Sequence, residues 1–88
     1  MKEIKIGDTV FKIKKLSGYK LLKQFGANKD IADTYRDLIL ACVEEPKLSK
    51  KEVEEMDSRV FLKLGAEIIK LHAPDLKEIE DFLPELKQ

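Results

Sequence analysis

Two short segments that alternate apolar and polar residues flank Gly7-Asp8, and they constrain the fold more than any other feature of the chain. Residues 2–6 read Lys-Glu-Ile-Lys-Ile, and residues 9–14 read Thr-Val-Phe-Lys-Ile-Lys. A period of two is typical of strands with one buried face, and a glycine in a two-residue connection supplies the positive φ that a tight turn needs. The pattern therefore predicts an antiparallel β-hairpin.

The register of this hairpin follows from the position of its turn. Pairing the two residues that flank the turn places Ile4 opposite Phe11, with Ile13 on the same face. Glu3 then faces Lys12 on the other side, as an attractive cross-strand pair. Because an isolated hairpin is only marginally stable in water, its apolar face must pack on helices or on a strand of another chain.

Capping signals and apolar residues three and four apart predict a series of helices after the hairpin. Ser17 is a suitable N-cap for the first helix, and Gly26 closes it. Pro46 ends the second, and Ser49 forms a capping box with Glu52 at the start of the third. The predicted ranges are residues 17–25, about 30–45, about 50–55, 59–72 and, from Pro74, a fifth helix that carries Leu76, Ile79, Phe82 and Leu83.

The second and fourth helices are the most apolar. The fourth, capped by Asp57 or Ser58, has only a narrow polar strip of Lys63, Glu67 and Lys70. A helix that is apolar over most of its circumference is either central to a fold or covered by a partner. The second helix carries a wide apolar stripe made of Ile31, Tyr35, Leu38, Ile39 and Cys42.

These elements describe an α+β fold in a single domain. The predicted division of residues 1–88 is a hairpin over 1–15, a mostly helical bundle over 16–83 and a frayed tail over 84–88. A chain of this length buries only about 60–65% of its extended surface on folding. We therefore expect a thin core that leaves some apolar helix surface uncovered.

Charge is abundant but balanced, with 17 basic and 17 acidic residues. Its distribution is uneven, since residues 1–43 carry a net charge of +4 and residues 44–88 a net charge of −4. Such polarity is suited to head-to-tail self-association or to a partner with a charged patch. Nucleic-acid binding is disfavoured, because a basic excess is lacking, only two of the basic residues are arginine, and tryptophan is absent.

The residue types needed for catalysis or metal binding are sparse. His72 and Cys42 are the only histidine and the only cysteine, and they lie far apart in the sequence. A structural histidine and a buried thiol are the favoured interpretations. The acidic run over 52–57 lacks the spaced ligands and the glycine of a calcium loop, so a solvated face is favoured. We expect no enzyme activity, no cofactor and no metal.

A single cysteine excludes an internal disulfide. No apolar run follows Met1, and no stretch approaches the roughly 20 apolar residues of a membrane span. These features predict a cytoplasmic protein without a membrane contact.

The string Glu55-Met56-Asp57-Ser58 before an apolar helix resembles the attachment serine of acyl carrier proteins. Three features argue against a carrier. Arg59 stands where carriers have leucine, the chain opens with a hairpin where carriers have a helix, and its overall charge is not acidic. An N-cap is the commoner use of such a serine.

A family resemblance covers about residues 39–71. An apolar helix ends in Ala-Cys-Val-Glu-Glu-Pro-Lys-Leu-Ser over 41–49, a short acidic helix follows, and Met56-Asp57 leads into the Leu/Ile-rich segment 60–71. This order, together with the lysine-rich strand pair at the start, resembles the small tail assembly chaperones of long-tailed bacteriophages and prophages, in the XkdN-like group. The segment after Pro74 has no fixed counterpart in that pattern.

The resemblance implies a non-catalytic chaperone that binds the long helical tape measure protein, and tail-tube subunits as a further partner, before the tail tube polymerises. On this hypothesis the candidate contacts are Leu62 and Ile69, seven residues apart on one face, and Leu40 and Val43, which lie off the main stripe of their helix. The alternative is a small cytoplasmic adaptor or regulatory module that forms a homo-oligomer through its apolar helix. Core contacts or self-association contacts are an alternative of at least equal weight for each of the four residues.

Overall fold

The computed structural model describes residues 2–26, 30–75 and 77 of the chain. A β-hairpin is followed by helices, with a short third strand between two of them, so the α+β class predicted from the sequence is confirmed. In chain order the elements are β1 (Lys2–Ile6), β2 (Thr9–Ile13), α1 (Gly18–Gly26), α2 (Ile31–Cys42), β3 (Val43–Glu45), α3 (Lys50–Glu54) and α4 (Ser58–Leu71).

The hairpin of β1 and β2 has the predicted register. Ile4 pairs with Phe11 and Glu3 pairs with Lys12, and both Ile4 and Phe11 are buried. Gly7 has a φ of +62°, in the left-handed region that glycine adopts without steric cost. Ile13 is fully buried on the same face. The apolar face of the hairpin is therefore covered by the helices of its own chain.

Strand β3 corrects the predicted end of the second helix. The helix was expected to continue to Glu45, but α2 ends at Cys42, and residues 43–45 pair antiparallel with β2 in a sheet of order β1-β2-β3. The amide of Lys14 donates to the carbonyl of Cys42 at 2.9 Å. The free edge of β2 offers these residues hydrogen bonds, and the following Pro46 disfavours a helical conformation at the residue before it.

Side-chain capping interactions establish where α2, α3 and α4 begin. The Asp30 carboxylate accepts a hydrogen bond from the Asp33 amide at 2.8 Å, at the start of α2. The predicted capping box is confirmed, since Ser49 and Glu52 exchange bonds of 2.8 and 3.1 Å. The hydrogen bond that the Ser49 amide donates to the Glu52 carboxylate is the largest of the interactions that lower the pKa of Glu52. Asp57, and not Ser58, caps α4.

His72 ties the end of α4 to the segment between β2 and α1. Its ring is 1% exposed, and its Nε2 accepts a hydrogen bond from the Leu16 amide at 2.9 Å. Since Nε2 is the acceptor, Nδ1 carries the proton and donates to the Ile68 carbonyl at 2.8 Å. The structural role predicted for His72 agrees with both contacts.

Helix α4 contributes to the core, which is one of the two alternatives that its composition left open. Leu64, Gly65 and Ile68 are buried in it, and Leu62 stays exposed. Helical backbone resumes over residues 73–75, but the four apolar residues assigned to the fifth helix lie outside the described part of the chain. The core consists of Ile4, Phe11, Ile13, Leu16, Leu21, Leu38, Ile39, Cys42, Val43, Val53, Leu64 and Ile68.

The charge asymmetry of the sequence is largely balanced within the fold. Lysines of the first half pair with carboxylates of the second half, so opposite charges meet inside one molecule. Pairs at the surface contribute little stability individually, but they remove much of the net polarity that the sequence suggested. The pairs are Lys2–Glu67 at 3.4 Å, Lys12–Glu45 at 3.5 Å, Lys14–Glu44 at 2.7 Å and Lys15–Asp75 at 2.9 Å.

Candidate protein-interaction groove

Five large apolar side chains are exposed among the described residues. Two of them, Ile31 at 76% and Leu62 at 58%, line a hollow between the N-terminal halves of α2 and α4. We name this hollow the α2–α4 groove. It has a volume of about 250 Å³ and is lined by Ile31, Ala32, Tyr35, Phe61 and Leu62.

The floor of the groove is aromatic. The rings of Tyr35 and Phe61 stack with their centroids 5.9 Å apart and their planes at 28°. The Tyr35 ring also lies against Gly65, in the space that a Cβ at that position would occupy. The absence of a side chain at Gly65 therefore allows α2 and α4 to approach closely. Ile31 and Leu62 form the rim of the groove.

A second, charged hollow adjoins the groove. It has a volume of about 140 Å³, shares Ala32 and Phe61 with the groove, and adds Asp33, Arg36 and Glu54. The Nη1 of Arg36 lies 3.0 Å from Asp33 and 2.9 Å from Glu54, and its Nε lies 2.9 Å from an Asp37 oxygen. We name these four charged residues the acidic side of the groove, because one guanidinium faces three carboxylates.

Arg36 organises this side. Its hydrogen bond to Asp37 is the largest of the interactions that raise its pKa, so the guanidinium stays charged. The bond to Glu54 joins α2 to α3, which is otherwise anchored by the buried Val53. The carboxylates of Asp33 and Glu54 keep nearly half of their side-chain surface exposed. They are therefore available to a cation on a docked molecule.

Of the four candidate contacts predicted from the sequence, the structure brings only Leu62 to the groove. Leu40 and Ile69 are partly buried and pack against the core. Val43 is 8% exposed and belongs to β3, so its assignment to an outer helix face is corrected. Pairing with β2 turns its side chain into the core. Partner contacts by Leu40, Leu62 and Ile69 stay a prediction.

Sequence reasoning missed the other side of the groove. Ile31 and Tyr35 belong to the apolar stripe of the second helix, and Phe61 belongs to the apolar fourth helix, but none of the three is among the predicted partner contacts. Ile31 directly follows the N-cap Asp30, so it lies beyond the reach of the core residues Leu38 and Ile39. The position of Ile31, at the end of the apolar stripe and directly after the cap, was the signal in the sequence that this residue is exposed.

Cys42 and Ser58, the two candidate nucleophiles considered in the sequence, differ in their exposure. Cys42 is fully buried, and burial raises the pKa of its thiol to about 11. Ser58 is exposed at the first position of α4. Within the described ranges, no group of three or more histidine, cysteine or acidic side chains could hold a metal ion. None of the helices described is both long and apolar enough to cross a membrane.

Comparison with known proteins found no match for this chain. No protein-family model matches the chain, no curated protein is detectably similar to it, and no solved structure matches its fold.

Proposed function

We propose that this protein is a non-catalytic chaperone of phage or prophage tail assembly, acting in the host cytoplasm, and that it holds a helical segment of the tape measure protein in the α2–α4 groove. The observation that carries the proposal is an apolar groove with two highly exposed aliphatic side chains, Ile31 and Leu62, on its rim. Exposed apolar surface of this kind marks interaction sites on soluble proteins.

The size and shape of the groove favour a helix over a small molecule. Pockets for small ligands have volumes of roughly 300–1,000 Å³ and enclose most of the ligand. The groove measures about 250 Å³ and lies open between two helix ends. An amphipathic helix can insert one or two apolar side chains into such a groove and leave its polar face in water. A tape measure protein offers many apolar helical segments, and tail-tube subunits are the further partner that the resemblance implies.

A binding measurement with a matched control tests this proposal. Fragments that tile the tape measure protein of the same genome are titrated into the purified chain by calorimetry. We expect one or more fragments to bind. Leu62→Lys should weaken their binding at least ~tenfold, since a charge replaces an apolar side chain that lines the groove.

The control is Val10→Lys, which makes the same change at an exposed apolar position on the hairpin. It should bind as the unaltered chain does, and far-UV circular dichroism should show both variants folded. Failure of every fragment to bind, or equal losses in both variants, would contradict the proposal. A tail-tube gene upstream and a very long helical gene downstream would support it independently.

A further inference from the structure

The outer face of α1 carries a second exposed apolar patch. Tyr19 is 73% exposed and Leu22 is 44% exposed, and residues three apart lie on one side of a helix. The Lys23 ammonium lies 5.6 Å from the centre of the Tyr19 ring, and Lys20 is exposed beside it. Because α1 contains no acidic residue, this patch is an apolar pair surrounded by positive charge.

The patch on α1 and the α2–α4 groove are complementary in shape and charge. One is a convex helix face with two apolar side chains and two lysines, and the other is a concave apolar surface bordered by the acidic side. Together they contain four of the five large apolar side chains exposed among the described residues. A contact between them would bury these four and bring opposite charges together.

We propose that α1 of one copy docks in the α2–α4 groove of a second copy, so that the chain associates head to tail. The contact is heterologous, since it joins two different surfaces of the same chain. Each added copy leaves one groove and one α1 free, and growth continues unless the copies close into a ring. Groove-to-groove pairing is disfavoured because it would set Asp33 and Glu54 against the same carboxylates of the other copy.

This association goes beyond the proposed chaperone function and would regulate it. If the groove also receives a partner helix, α1 of a neighbouring copy occupies the same site and competes with that helix. The apolar groove would then be covered while the partner is absent and would open when the partner outcompetes α1. The self-association itself needs no partner and stands without the chaperone role.

Sedimentation analysis of the chain alone tests the proposal. We expect the mass to rise with concentration past that of a dimer, and the rise to weaken with added salt, because screening reduces the attraction between the lysines and the acidic side. Tyr19→Asp and Leu62→Asp should each raise the dissociation constant at least ~tenfold. Val10→Asp, which alters exposed apolar surface outside both patches, should behave as the unaltered chain.

Mixing the two interface variants gives the decisive result. Tyr19→Asp retains an intact groove and Leu62→Asp retains an intact α1, so an equimolar mixture should form a heterodimer and stop there. A chain that stays monomeric at ~1 mM, or a mixture of folded variants that stays monomeric at concentrations where the unaltered chain associates, would overturn the proposal. If the unaltered chain stops at a dimer and the mixed variants form no heterodimer, the contact joins identical surfaces, and the proposal is overturned as well.

The same variants separate this proposal from the chaperone role. Monomeric Tyr19→Asp should bind a tape measure fragment more tightly than the unaltered chain does, because no neighbouring α1 competes for its groove. If no fragment binds while the mixture still forms a heterodimer, the chaperone role fails and the self-association stands. A further outcome is that fragments bind the unaltered chain and Tyr19→Asp equally well at concentrations where the unaltered chain is associated. That result would contradict the proposed competition between α1 and the fragment.

Discussion

The ring of Tyr35 lies against the backbone of Gly65, in the space where any other residue would place its Cβ. This contact sets how closely α2 and α4 approach, and it holds Tyr35 in its stack with Phe61. The floor of the α2–α4 groove therefore depends on the absence of one side chain. Close packing makes such a position sensitive to a single added methyl group.

We expect Gly65→Ala to lower the free energy of unfolding by up to about 2 kcal/mol. Alanine favours a helix over glycine by about 1 kcal/mol, but overpacking against the Tyr35 ring costs about 1–3 kcal/mol. Urea denaturation measures the difference. Gly18→Ala is the matched control, since a Cβ there meets nothing within 4 Å and should be neutral or stabilising. An increase in stability for both variants would contradict the packing argument.

The hydrogen bond from the Leu16 amide to His72 leads to a second prediction. In His72→Ala this buried amide loses its acceptor and the ring leaves a cavity, so we expect a loss of about 2–4 kcal/mol by urea denaturation. His72→Gln can keep an acceptor near the Leu16 amide and should cost less. Equal losses in the two variants would show that the ring acts by filling space alone.

Burial of Cys42 leads to a prediction about alkaline pH. Its thiol has a pKa raised from 9.0 to about 11, so the unfolded state loses this proton before the folded state does. The neutral thiol makes its full contribution to the free energy of unfolding below pH 9.0, and this contribution is lost as the pH rises through about 11. The free energy of unfolding should fall over this interval, by at most about 1.4 kcal/mol per pH unit from this one group.

Cys42→Ala is the control for this effect, because lysines titrate in the same interval. The variant has a lower stability throughout, owing to its cavity, and should show a shallower dependence on pH than the unaltered chain. Identical slopes would show that the thiol titrates alike in both states.

Leu62 is exposed and Ile69 is partly buried, so the same substitution should affect the stability of the protein differently at the two positions. Leu62→Lys places a charge at an exposed position and should change stability by less than about 0.5 kcal/mol. Ile69→Lys disturbs a side chain that packs against the core and should cost about 1–3 kcal/mol. Thermal or urea unfolding of the two variants measures both values. A large loss for Leu62→Lys would assign this residue to the core.

Much of the local structure was contained in the sequence. The Gly7 turn established the pairing of Ile4 with Phe11, and the capping box of Ser49 and Glu52 established the start of α3. Such features depend on residues a few positions apart, whose backbone conformation and hydrogen bonds are decided locally. The apolar composition of α4 left two alternatives open, a place in the core or coverage by a partner.

Only the tertiary structure decided where α2 ends and which apolar residues stay exposed. Val43 leaves the helix because the free edge of β2 lies beside it, and no pattern within 30–45 reveals that edge. The α2–α4 groove arises because Gly65 admits the Tyr35 ring, while Ile31 and Leu62 lie beyond the core. Sequence periodicity specifies which face of a helix is apolar, but the crossing of two helices determines how much of that face is covered.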